Sequence, residues 1–150
     1  MERKLRLLLP GGRFRNVSAN RSRTMGAIRS KHAKTTERAL RMILIRGGIK
    51  GWRMHPSGIP GNPDIYFPAQ NTVVFVDGCF WHGCPKCGHT PKTRSAFWKA
   101  KIIKNRQRDR RTRRNLRRSG LKVIGVWEHS LRDDKYVQRL VARVRALTQT

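Results

Sequence analysis

From Thr35 the chain reads TTERALRMILIRGG, and its apolar residues Ala39, Leu40, Ile43 and Leu44 recur at steps of one, three and one. That spacing predicts an amphipathic helix, with Thr35 or Thr36 as cap and Gly47-Gly48 as stop. The pattern then changes to short runs rich in β-branched and aromatic residues. KGWRMH at 50–55, DIYF at 64–67 and TVVFV at 72–76 read as three strands, the last two joined by the turn-like PAQN. The continuous apolar run of the third suggests a central strand. Residues 95–119 contain no Pro or Gly and stop at Gly120, which predicts one long helix. LKVIGVW at 121–127 reads as another buried strand, and DDKYVQRLVARVRAL as a closing helix. The fold class expected from this order is α/β, a mixed central sheet flanked by helices.

The 150 residues suit one domain with a real core. Residues 1–20 carry Pro-Gly-Gly and basic residues without a sustained period, so they read as a basic flexible arm ahead of a domain at 21–150. With 35 Lys+Arg against 8 Asp+Glu, the formal charge is +27. Such a chain repels itself unless a polyanion neutralises it, so nucleic acid is the leading partner. No apolar run is long enough for a spanning helix, and MERKLRLLLPGG is too short in leucines for a signal-peptide core. These features predict a soluble, intracellular protein with no membrane association.

Cysteines Cys79, Cys84 and Cys87 form an odd set within nine residues, which suits metal ligation better than a disulfide framework. Their spacing, C-x4-C-x2-C, can wrap a tetrahedral Zn²⁺ if one more ligand is supplied. His82, His89 and His129 are the choices. His129 follows the strand VIGVW and would tie the loop back onto the sheet, so it is preferred, with His89 as rival.

Acids are scarce enough for their places to be informative. Asp64 opens one strand and Asp77 ends the next, so a hairpin would bring both carboxylates together as hard oxygen ligands for Mg²⁺. The plainer reading makes both of them turn residues. His82 is then free for proton transfer near neutral pH, or else packs the loop. On the long helix, Trp98, Ile102, Asn105, Asp109, Thr112 and Leu116 share one face. Asp109 is thus an inward acid that needs a histidine or an arginine as partner. Phe80 and Trp81 either wedge between bases or cover the metal loop.

Taken together, GNPDIYF, VFVDGCFWHGC, PKTRSAFW, KNRQRD and GLKVIGVWEHSL resemble the very-short-patch-repair (Vsr) DNA mismatch endonucleases. The resemblance runs in order from about Asn20 to Leu131. It implies a restriction-endonuclease-like fold with a structural zinc site, and Mg²⁺-dependent nicking of double-stranded DNA beside a T:G mismatch. It also implies a monomeric, cytoplasmic, nucleoid-associated prokaryotic enzyme with mismatch-repair proteins as possible partners. By the same resemblance, Asp64 is the metal-binding aspartate, His82 the catalytic histidine and Glu37 an acid near the site. Cys79, Cys84, Cys87 and His129 fall at or close to the zinc positions. Met25, Phe80, Trp81 and Trp98 match residues that intercalate or lie beside the mismatch. Three departures stand out. Asp77 replaces a catalytic histidine, and Val76 replaces a threonine while keeping its backbone carbonyl for the metal. His129 and Cys84 exchange Cys and His relative to the common pattern, a coherent swap of zinc ligands. The competing expectations are a non-catalytic basic zinc module that binds nucleic acid, and a related nuclease with another DNA substrate.

Overall fold

Thr72–Asp77, the longest apolar run, forms the third strand (β3) of a four-stranded sheet in the computed structural model. The structure describes residues 36–148 together with Leu7 and Asn20; Met25 and most of the expected arm at 1–20 lie outside them. The first helix, α1, occupies 36–46 of the described residues. Strands β1 (Arg53–Met54) and β2 (Ile65–Phe67) precede β3, and α2 (Ser95–Arg118), β4 (Lys122–Trp127) and α3 (Asp134–Thr148) follow it. The order in the sheet is β1-β2-β3-β4, with β1/β2 and β2/β3 antiparallel and β3/β4 parallel. A parallel pair needs a long crossover, and α2 provides it.

The hairpin between β2 and β3 turns through a short 3-10 helix, Pro68–Gln70, and Asn71 in the left-handed conformation. Pro at its first position and Asn at its end suit those dihedral angles. The expected strand at 50–55 shortens to two residues because Gly51 and His55 both take positive φ, 78° and 44°, which breaks the extended backbone on either side.

Side-chain alternation divides the sheet. Ile65, Phe67, Val74, Ile124 and Val126 point to one face and join Leu40 and Leu44 of α1 and Leu140 and Val144 of α3 in the main core. The opposite face, with Phe75 and Asp77 of β3 and Gly125 of β4, meets α2. The main apolar cluster therefore lies behind the sheet, and the face under α2, apolar at Val73 and Phe75, becomes polar at Asp77, where β3 ends. Ile65 is fully buried. Ile65→Ala should cost about 2–5 kcal/mol of unfolding free energy in urea titrations; a loss below about 1 kcal/mol would contradict this account of the core.

Candidate active site and metal cluster

Asp64 stands one residue before β2, one step beyond the Ile65–Val74 pair. Its N–H donates to Val74 C=O at 3.0 Å, and its Oδ2 accepts the Val76 N–H at 2.6 Å. The hairpin thus brings the start of one strand to the end of the next, and Asp64 and Asp77 line one cavity of about 390 Å³ with His82, Arg108, Asp109 and Arg113. Asp64, Val76, His82 and Arg108 also line a larger groove of about 710 Å³ that runs on to Glu37, Phe80 and Trp81.

Within the cavity, His82 Nδ1 lies 2.5 Å from Asp109 Oδ2 and 3.7 Å from Asp77 Oδ1. Burial of Asp109 opposes its charge, but the hydrogen bond from His82 and the charges of His82 and Arg108 outweigh it and hold the carboxyl below its usual range. Asp109 is therefore the acceptor and His82 Nδ1–H the donor. The histidine and arginine partners expected for the inward acid are both present, since Arg108 reaches Asp109 Oδ1 at 3.0 Å. Asp77, also buried, accepts from Arg113 Nη2 at 2.5 Å. The expected pair of metal-facing carboxylates is thus unequal: both line the cavity, but one oxygen of Asp77 already holds a guanidinium.

Two glycines let α2 close on this site. At Gly125 a Cβ would come within 3.0 Å of Arg113 Nη1, and at Gly61, with φ +87°, it would collide with the Thr112 methyl.

Of the three carboxylates that line the cavity, Asp64 is the one that forms no ion pair among the described residues. Burial pushes its pKa up, and the nearby charges of Glu37 and Asp77 add to this, while the Val76 N–H and His55 pull the other way. Glu37 itself pairs with His55 at 3.2 Å on the rim of the groove.

The three cysteines converge on His129, whose Nδ1 is 3.3 Å from Cys79 Sγ and 3.5 Å from both Cys84 Sγ and Cys87 Sγ. All four donor atoms lie within 4.8 Å of one another. A tetrahedron with metal–sulfur bonds near 2.3 Å and metal–nitrogen bonds near 2.05 Å has sulfur–nitrogen edges of about 3.6 Å, so the residues present can hold a metal ion. Turns set the spacing: Cys84 N–H donates to Cys79 C=O and Gly88 N–H to Cys84 C=O, each at 2.9 Å. The Cys79 N–H donates to Glu128 Oε2, which anchors the loop beside His129. Burial, with the neighbouring thiols, pushes the Cys79 thiol up to about 12. Burial also opposes ionisation of Cys84, yet hydrogen bonds from the Cys87 and Lys86 backbone and the adjacent thiols lower its pKa. His89 lies outside this cluster, its ring 5.6 Å from that of Phe80.

Phe80, Trp81 and Trp98 form one aromatic group, with ring centroids 4.9 to 5.9 Å apart. Buried Asn105 fixes the loop beneath it by donating to Trp81 C=O at 3.0 Å.

A family model described as DNA mismatch endonuclease Vsr matches residues 15–88. The DNA mismatch endonuclease Vsr of Escherichia coli (strain K12) is 38% identical over 116 residues, which cover 76% of this chain and 72% of that protein. This chain belongs to the Vsr family. Two further relatives of this Vsr-family chain are type II nicking enzymes. V.XorIIP of Xanthomonas oryzae pv. oryzae is 42% identical over 123 residues, 81% of this chain and 86% of its own length. V.NaeI of Lentzea aerocolonigenes is 39% identical over 124 residues, 81% and 70% respectively. The Vsr-family chain is thus a DNA endonuclease.

The structure adds to the expected site residues Arg113, Glu128 and the tethering role of Asn105. Arg113 stands four residues after Asp109 and so on a neighbouring part of the same helix face, a spacing that could have singled it out.

Two outcomes follow from this geometry. Metal analysis of purified protein should give about one ion per chain for wild type and His89→Ala, and a small fraction of that for His129→Ala; the reverse order would exchange the two histidines. For Asp64 the sign is set by its raised pKa: the folded state holds the proton more tightly, so this group favours folding below its ordinary value of 3.8 and loses that contribution as pH rises through the folded value. Without divalent cations at pH 7, Asp64→Asn should therefore melt higher than wild type, and the gap should close as pH falls toward 4. A lower midpoint for the variant at pH 7 would contradict the burial argument.

Proposed function

We propose that this Vsr-family endonuclease nicks duplex DNA beside a T:G mismatch in a Mg²⁺-dependent reaction, on a restriction-endonuclease-like scaffold whose recognition loop is braced by zinc. The observation that carries this reading is the charge distribution of the cavity. Asp77 is matched by Arg113 and Asp109 by Arg108 and His82, whereas Asp64 is half-buried without an ion-pair partner among the described residues. A dication is the natural complement to such a carboxylate.

Asp64 and the Val76 carbonyl would hold the Mg²⁺. In a strand the N–H and C=O of one residue emerge on the same edge, and the Val76 N–H already meets Asp64. Bound there, Mg²⁺ supplies charge neutralisation at the scissile phosphate and makes bound water more acidic. His82, with its Nδ1 proton held by Asp109, presents Nε2 to the attacking water and takes its proton. Glu37, across the groove, keeps a negative rim that favours the cation.

The Cys3His cluster suits Zn²⁺ as a structural ion, since it has four protein donors and no open position. It would hold Phe80 and Trp81 on a rigid platform with Trp98, from which they meet the bases at the mismatch. Met25 is proposed to join them from the N-terminal segment. The +27 charge supports backbone binding that weakens steeply with salt.

The reading is tested by incubating matched and T:G-mismatched duplexes with the protein, with and without Mg²⁺, and mapping nicks. Nicking should require the mismatch and Mg²⁺. Asp64→Ala and His82→Ala should each slow it by about 10²–10⁴-fold with the Cys3His metal retained. Equal nicking of both duplexes would remove mismatch specificity, and full activity in either variant would remove that residue from the mechanism.

A further inference from the structure

One arginine of the basic run on α2 is turned toward the sheet. The Arg113 side chain is 21% exposed, against 64% for Arg108 five residues earlier. Three features fix it: the buried Asp77 carboxylate accepts from Nη2, the Phe75 ring lies 5.1 Å from Cζ, and Gly125 leaves the space that Nη1 occupies. A guanidinium carries five N–H donors in a rigid fork. Among the described residues, Arg113 spends them on Asp77 alone, and it faces the cavity that holds Asp64 and His82. On its other side it borders a groove lined with Arg110, Arg114, Arg117 and Arg118, so the positive surface continues from the cavity along the helix.

We propose that Arg113 is a catalytic residue that binds a non-bridging oxygen of the scissile phosphodiester, and that Asp77 is its positioning residue rather than a metal ligand. This rests on the reading that Asp64 holds the Mg²⁺ and His82 takes the proton. The oxygen of water bonds to phosphorus as its proton passes to His82, and the ester P–O bond breaks with its electron pair on the leaving sugar oxygen, which takes a proton from solvent; charge shifts meanwhile on the phosphoryl oxygens. A cation fixed in advance by Asp77 and Phe75 meets that charge without reorganising. The pairing also explains how the buried Asp77 and the half-buried Arg113 are tolerated together in front of Asp64: each offsets the other, and Asp64 keeps the site's affinity for a dication.

The test is single-turnover nicking of a T:G duplex as a function of Mg²⁺ concentration, with Kd for the same duplex measured without divalent cations and a melting curve for each protein. Arg113→Ala should slow nicking by about 10²–10³-fold while weakening binding by less than about tenfold, as expected for one lost phosphate contact. Arg113→Lys, which keeps the charge without the fork, should recover only part of the rate. Asp77→Asn should slow nicking by about tenfold through loss of orientation, and adding it to Arg113→Ala should cause no further loss. The Mg²⁺ midpoint should stay that of wild type in all of these proteins. Wild-type nicking by Arg113→Ala would overturn the proposal. So would a large rise in the Mg²⁺ midpoint for Asp77→Asn that compounds with Arg113→Ala, because it would make Asp77 a metal ligand. If Arg113→Ala melts early, Arg113→Lys and Asp77→Asn, which keep the volume of the pair, decide the same question. Full activity in Asp64→Ala would instead overturn the underlying reading that Asp64 holds the Mg²⁺.

Discussion

The junction on which the site depends is a pair of hydrogen bonds: Asp64 N–H to Val74 C=O, and Val76 N–H to the Asp64 carboxylate. The first continues the β2/β3 ladder by one residue. The second ends it with a side chain in place of a backbone carbonyl, which places an acid at the end of the central strand. A slip of one residue in this hairpin would turn Asp64, Phe75 and Asp77 into the apolar core and Val74 out of it, so burial of Ile65, Phe67 and Val74 enforces the register that the chemistry needs.

The rest of the site is assembled around that junction by long-range ties. His129 sits 42 to 50 residues from the cysteines it meets, and Glu128 holds the Cys79 N–H from 49 residues away. A metal ion in the cluster would therefore join the loop after β3 to the end of β4, two strands already paired in parallel. From the other side, Asn105 and Asp109 of α2 hold Trp81 and His82. One loop thus carries metal ligands, aromatic side chains and a histidine, and its two anchors face different elements. This explains how Cys79 and His82, three residues apart, can serve separate sites.

Much of this arrangement was legible in the sequence because it is carried by contrast. TVVFV stands out as a central strand, three cysteines stand out in nine residues, and Asp109 stands out as an acid on an inward stripe. Other parts were hidden where contrast is missing. Arg113 lies in RQRDRRTRR, where composition does not separate the one arginine folded under the helix from those left in solvent and only its step of four from Asp109 marks it. The unequal pairing of Asp64 and Asp77 was equally invisible, since it depends on Gly125 leaving room for a side chain from 12 residues earlier in the chain. Strand β1 was overestimated because its length is cut by backbone dihedral angles at Gly51 and His55, not by hydrophobic pattern.

The central claim is that, of three carboxylates in one cavity, Asp64 is the one that recruits the cation. The most direct measurement is an anomalous-scattering map from crystals of the protein bound to a T:G duplex and soaked in Mn²⁺ as a stand-in for Mg²⁺. The account predicts a cation peak bonded to Asp64, with Asp77 still on Arg113 and Asp109 still on His82. A peak bonded to Asp77 or Asp109 with Asp64 unliganded would contradict it.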